Sequence, residues 1–325
     1  MKTNQHRMLH GIIWLCLAAT PALADDAAMV SARAREVTTE LELIRWEMGR
    51  PHDSRPPLIR VENATHHDVY HQSIALYRRC IRFSEEQTHQ RSKTAPVEVA
   101  GYVLGPSDVL AILDLALERI REVKTVLEIP ASSPEEAEAA GNEAAQTPTQ
   151  VYERILIASH QLDQLLEEPA SSSDAFQELT RTISYVARLL ARFPNAARIT
   201  ETPALERGKQ PVEVLIRLAR CIRLAEEISA QSGLPMTKCE LIVPGSPEEV
   251  TPRDNFDLAV LIGEQMDDLE RQMRHSNAPQ RKIGSPGRKT PSDVDQRAGI
   301  LESQMTLLLQ LIKEQPGRIT ASPNE

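Results

Sequence analysis

Three groups of side chains in this 325-residue chain have types and spacings that could do chemistry. His66, His67 and His71 fall where a helix would open, and the four-residue step from His67 to His71 sets two imidazoles on one helix face. Such a pair can hold a transition metal, although the second half of the chain has no histidines at the matching places and no His-Glu-x-x-His pattern accompanies them. Polar residues at a helix start are the simpler reading, so no metal or cofactor is expected. His160 and His275 stand alone in the sequence.

The second group is arginine. Arg78, Arg79 and Arg82 reappear as Arg217, Arg220 and Arg223 on a later stretch. Guanidinium forks bind oxyanions in pairs of hydrogen bonds, so Arg79, Arg82, Arg220 and Arg223 make a candidate face for a small anion or an acidic partner. Glu85, Glu86, Glu226 and Glu227 follow at the three- and four-residue spacing of ordinary helix-surface ion pairs, and structural pairing is the favoured use of these arginines.

The third group is cysteine. Cys80, Cys221 and Cys239 lie beyond the leader segment, and a Cys221–Cys239 disulfide is expected if the chain after Cys221 folds back on its helix. It would close a short loop and contribute about 3 kcal/mol in the chain-entropy model. The alternatives are a Cys80–Cys221 bridge between halves and free thiols buried as small apolar residues. No Gly-x-Ser-x-Gly elbow and no Glu-x-x-His pair on two helices is present, and nothing in the sequence supports catalysis.

These residues lie on helices whose starts are written in the sequence. Gly105-Pro106-Ser107-Asp108, Thr147-Pro148-Thr149-Gln150, Thr251-Pro252-Arg253-Asp254 and Thr290-Pro291-Ser292-Asp293 each place proline at the first helical position and an acid or amide two residues later, where it can close a capping box. Apolar residues then recur at steps of four and three: Val109, Leu113, Ala116, Ile120, Val123 in one segment, and Ala259, Ile262, Met266, Leu269 in another. Val151, Ile155, Ala158, Leu162, Leu165 and Val294, Ala298, Leu301, Met305, Leu308, Ile312 repeat the pattern, which is that of bundle seams.

The chain also repeats itself. Arg79-Cys80-Ile81-Arg82 with Glu85-Glu86 returns as Arg220-Cys221-Ile222-Arg223 with Glu226-Glu227, 141 positions on, and the Pro148 helix returns at Pro291, 143 positions on. The fold expected is all-α, a tandem duplication of a four-helix unit giving two up-down helical bundles, with short extended segments in the helix 2–3 loops at 97–104 and 241–243. The helices fall at about 27–49, 67–90, 107–128 and 148–167, then 173–193, 211–231, 253–274 and 291–314. The units are 25–170 and 171–315, with an Ala/Glu-rich linker at 130–146, a basic linker at 277–289, and a disordered tail at 316–325.

Residues 1–24 resemble a secretory signal peptide in design: Lys2 and Arg7 form a basic head, an apolar stretch runs from Met8 to Ala19, and Ala22 and Ala24 stand where a signal peptidase needs small residues. Cleavage after Ala24 and a periplasmic location are expected, with no membrane insertion of the remainder. A net charge of −9 and a sequence pI of about 5.6 argue against nucleic acid as a partner. Aromatic residues at 3% argue against stacking platforms, and only 13 glycines argue against a turn-rich β architecture. The expected function is therefore a non-enzymatic interaction or scaffold module for an envelope protein partner, with a small-anion-binding sensory module on the helix-2 arginines as the alternative.

Overall fold

The computed structural model describes residues 21–318, apart from 53–54, 56, 92–103, 131–145, 199–200, 235, 243–244 and 274–286. The first twenty residues of the expected leader, most of both expected linkers and the 97–103 segment therefore lie outside the described residues. The chain is mostly helical. Its elements are α1 (Pro21–Glu47), β1 (Ile59–Glu62), α2 (His66–Thr88), α3 (Pro106–Val126), α4 (Pro148–Leu165), α5 (Ser172–Leu190), α6 (Pro211–Ser232), β2 (Lys238–Leu241), α7 (Pro252–Met273) and α8 (Pro291–Glu314).

Every helix from α2 to α8 begins in the same way. The backbone N–H of the cap residue donates to the side chain three positions on: Thr65 to Asp68, Gly105 to Asp108, Thr147 to Gln150, Ser171 to Asp174, Gln210 to Glu213, Thr251 to Asp254 and Thr290 to Asp293. Each contact satisfies a donor that the first helical turn leaves unpaired. Six of the seven acceptors are acids, which also complement the positive end of the helix dipole.

Within each half the helices run in the same direction. Arg33 meets Asp114, Glu36 meets Arg121 and Glu40 meets Lys124, so α1 and α3 advance together. Arg79 meets Asp163 near the middle of α4 and Arg82 meets Glu168 just past its end, so α2 and α4 do the same. In the second half, Gly263 lies against Thr182 and Glu270 pairs with Arg188 between α5 and α7. Asp295 pairs with Arg217 and Lys313 with Glu227 between α6 and α8. Successive helices agree in direction as well: Ser84 late in α2 donates to Glu122 late in α3, and Asn255 at the start of α7 donates to the Pro211 carbonyl at the start of α6. The expected up-down arrangement is thus corrected. Up-down bundles use connections of about 2–8 residues, whereas the connections 48–65, 89–105 and 127–147, and again 191–210, 233–251 and 274–290, contain 17 residues or more. At about 3.3 Å per residue that chain reaches about 56 Å, enough to return along a 21-residue helix of about 32 Å.

The packing order is the same in both halves. α1 and α2 each pack on α3 and α4, and α5 and α6 each pack on α7 and α8. The apolar seams read from the sequence form the core: Val109, Leu113, Ala116, Ile120, Ile155, Leu162, Ala259, Ile262, Met266, Ala298, Leu301 and Met305 are all buried. The six-residue turn 166–171 reverses the chain, so the second half runs antiparallel to the first: His71 faces Asp267 and Arg79 faces Asp257.

A small sheet ties the halves together. β1 pairs antiparallel with β2 in the register Ile59↔Leu241 and Val61↔Cys239, and Ile242 N–H donates to the Leu58 carbonyl at 2.8 Å. Leu241, expected in an extended segment, is in β2; its partner strand lies instead in the connection between α1 and α2. This pairing also corrects the expected disulfide. β2 carries Cys239 across to Val61, while Cys221 sits under α8 with its Sγ 4.0 Å from the Ala298 carbonyl. Cys80, Cys221 and Cys239 are all free, and burial pushes each thiol up to about 12, so they stay protonated and inert at neutral pH. At the far end, Pro316–Arg318 forms a 3-10 turn in the segment expected to be disordered, and Arg318 donates to the Arg192 carbonyl.

Candidate functional site in the polar seam between the halves

α7 is buried along nearly its whole length because both halves use it. One stripe, Ala259, Ile262, Met266 and Leu269, faces its own half. The opposite stripe, Arg253, Asp257, Glu264, Asp267 and Arg271, recurs at steps of four, seven, three and four residues, each a whole number of helical turns to within a fraction of a residue, and carries charge. It packs against α2 and α4 of the first half, so its acids are removed from water and must find partners there.

At one end of the seam, Arg79 and Arg253 face Asp163 and Asp257. Arg79 Nη2 and Arg253 Nε each lie 3.2 Å from Asp163 Oδ2, and His160 Nε2 lies 3.2 Å from Asp257 Oδ2. The Arg79 guanidinium also stacks on Phe256, 4.4 Å from the ring centroid. Burial raises the Asp163 carboxyl to about 6 and raises Asp257 as well, against the pull of Arg79. His160, solitary in the sequence, is thus part of a five-residue charge cluster.

In the middle, Tyr152 OH donates to Glu264 Oε2 at 3.3 Å. Burial holds the Glu264 carboxyl well above the usual carboxylate range, with the nearby Asp68 adding to the shift. Asp68, which caps α2, accepts from Thr237 Oγ1 at 2.6 Å, and the Thr237 carbonyl accepts from Gln265 Nε2 at 2.7 Å. The helix start, the approach to β2 and α7 are thereby joined by one run of hydrogen bonds.

At the other end, α2 brings His67 and His71 to Asp267. The two Nε2 atoms are 3.2 Å apart, His71 Nε2 is 3.2 Å from Asp267 Oδ2, and His67 Nε2 is 3.9 Å from the same oxygen. Arg271 Nε donates to Asp267 Oδ2 at 2.8 Å, and Asp268 Oδ1 lies 3.8 Å from His67 Nδ1. Burial lowers His67 to about 2, keeping the ring neutral, and raises Asp268 to about 7. Burial would also raise Asp267, but the hydrogen bond with His71 and the charge of Arg271 hold it below its ordinary value. Among the described residues, His67, His71 and Asp267 form the group whose donor atoms could hold a metal ion.

The arginine candidates part company. Arg78, Arg79 and Arg82 line a cleft of about 190 Å³ together with Arg181, Asp163, Asp174 and Glu178. Arg82 there meets Glu86, Glu168 and Asp174. Arg220 and Arg223 are instead exposed on α6, with Arg220 3.6 Å from Glu302. Arg82 pairs with Glu86 one turn on, whereas Arg79 and Arg220 pair with other helices, at Asp163 and Glu302, rather than with the acids that follow them on their own helix. Sequence reasoning missed Asp267 as the third member beside the histidines; the signal was the 253–257–264–267–271 spacing, which in isolation looks like a solvated helix face.

Compared with protein-family models, with curated proteins and with solved structures, the chain has no match in any of the three. What the fold and the seam define is a mostly helical protein whose two halves are held together by a strand pair and a buried polar interface. No helix among the described residues is long and apolar enough to cross a membrane.

Proposed function

We propose that the chain is an exported, non-enzymatic scaffold of two tandem four-helix units, released after Ala24 into the periplasm, where it docks an envelope protein. The repeated Arg-Cys-Ile-Arg segments, the similar offsets of the last three helix starts (143–146 positions) and the shared packing order support descent from one duplicated unit. The observation that carries the docking role is that unlike faces mate. The α2/α4 face of the first half lies on α7 of the second, with Arg79 and His160 both reaching Asp257. If the units are copies, the α6/α8 face of the second corresponds to the first half's mating face, and the α1/α3 face of the first corresponds to α5/α7. A head-to-tail contact of this kind leaves one face of each type open at the ends. The α1/α3 face displays Leu43, Trp46 and Val126, with Trp46 70% exposed, and α6 displays Ile216.

A photo-crosslinking residue placed at Trp46 or Val126 in the full-length protein, expressed in its own cells, will capture one envelope protein in preference to the same probe at the exposed Arg91. Equal capture at all three positions, or none at Trp46 and Val126, rejects the docking role.

The second reading, a small-anion sensor, is supported by the cleft between the halves, lined by Arg78, Arg79 and Arg82 of α2 and by Arg181 of α5.

A further inference from the structure

We propose that His67, His71 and Asp267 bind one divalent transition-metal ion, Zn²⁺ in the first instance, and that this ion clamps α2 to α7 across the two halves. The inference is independent of the docking role.

The spacing of the donor atoms is the first argument. Ligands held tetrahedrally at 2.0–2.1 Å from zinc stand roughly 3.3–3.4 Å from one another. The observed separations are 3.2 Å between the imidazole Nε2 atoms, 3.2 Å from His71 Nε2 to Asp267 Oδ2 and 3.9 Å from His67 Nε2 to that oxygen. Three electron-rich atoms from two helices therefore converge at metal-ligand spacing. A proton on His71 Nε2 can serve either His67 Nε2 or Asp267 Oδ2, and Arg271 already donates to that oxygen, whereas one cation would draw on both ring nitrogens and the carboxylate together.

The surroundings are the second argument. A ligating histidine presents its other ring nitrogen as a donor, usually to a carboxylate. His67 Nδ1 is buried without a hydrogen-bond partner, and Asp268 Oδ1 stands 3.8 Å from it. Asp267 is itself steadied by Arg271. Arg271 places positive charge beside the site, but Asp267 and Asp268 together with the nearby Asp68 leave an excess of carboxylates for the cation to meet. Two imidazoles and one carboxylate suit zinc, copper, nickel or cobalt rather than magnesium or calcium, which take oxygen donors. Three protein ligands also leave a fourth position for water or an incoming group.

The full-length chain without its leader, stripped with chelator, tests this directly by titration with Zn²⁺ and with Co²⁺. Expected are one equivalent of Zn²⁺ bound per chain, a rise in Tm on the order of 5 °C at a hundredfold excess over Kd, and the visible absorption of tetrahedral Co²⁺. Asp267→Asn and His71→Gln, each verified as helical by circular dichroism, should lose affinity at least tenfold, while His160→Gln at the other end of the seam keeps it. Because zinc uptake and the cobalt spectrum are read on the unaltered chain, a misfolded variant does not decide the outcome. Absence of both signals in that chain overturns the site, as does undiminished uptake in folded Asp267→Asn and His71→Gln.

Discussion

Arg79→Ala will lower the stability of the protein by about 3–5 kcal/mol in denaturant unfolding, more than the loss of its ion pairs alone would cost. Its guanidinium is buried between Asp163 and Asp257 and against Phe256, and the two carboxylates are buried as well. Removing the cation leaves two negative charges out of water with only Arg253 and His160 to meet them. The reverse experiment separates this cause from simple loss of packing. In the double variant Arg79→Met with Asp163→Asn, the buried cation and one buried anion leave together, and much of the stability should return. A double variant no more stable than Arg79→Ala would show that stacking on Phe256, rather than charge balance, is what Arg79 supplies.

Glu264→Gln will stabilise the protein at neutral pH and flatten its pH profile, because the amide keeps an acceptor for Tyr152 and has no proton to gain or lose. The Glu264 carboxyl is 3% exposed, accepts one hydrogen bond from Tyr152, and sits well above its ordinary value. For a carboxyl raised on folding, the native state holds more protons than the unfolded chain between the unfolded and folded values. The stability it contributes is therefore complete below the unfolded value and is lost as pH rises through the folded one. Asp163 acts in the same sense between its ordinary 3.8 and about 6. Asp163 and Glu264 should each take stability away as pH rises from about 4, by up to about 1.4 kcal/mol per pH unit for each linked proton. His67, lowered on folding from 6.5 to about 2, adds stability over the same range, so the quantity that reports Glu264 is the slope of the parent minus that of Glu264→Gln. Unfolding midpoints measured across pH 4–8 check this. A Glu264→Gln protein with the same slope and the same neutral stability as the parent would remove Glu264 from the explanation.

Helix positions were legible in the sequence because the starts carry their own chemistry: proline at the first position of α3, α4, α6, α7 and α8, where a donor is not needed, and an acid or amide three residues past the cap. The apolar seams were legible for the same local reason. Helix direction was not read from seams, since a stripe of Val109, Leu113 and Ala116 buries equally well against a parallel or an antiparallel neighbour. The signal for direction lay in the connections, six of them too long for an up-down bundle. The strand β1 was written as Ile59 and Val61 alternating with Arg60 and Glu62, but its partner lay some 180 residues away on β2, beyond the reach of any local pattern. The functional seam hid for a different reason. Asp257, Glu264 and Asp267 on one helix face suggest exposure to water, and only the docking of the first half turns that face inward. His67 and His71 could be found by their spacing, but Asp267 could not be matched to them before α7 was known to run antiparallel to α2.

Same-direction packing has a consequence for how the chain acquires its structure. α1 does not pack on its successor α2; its neighbours are α3 and α4, which follow only after two or three long connections have been made. An up-down bundle can zip one hairpin at a time, but here each native helix pair requires closure of a large loop before any burial rewards it. Contacts between residues such as Arg33 and Asp114, or Glu40 and Lys124, are separated by more than eighty positions. Refolding should accordingly be slow for an all-helical protein, nearer the pace of β-sandwiches than of simple bundles. A chain made with α1 first would carry an uncovered apolar face until α3 and α4 arrived, which exposes it to association with other chains in the meantime.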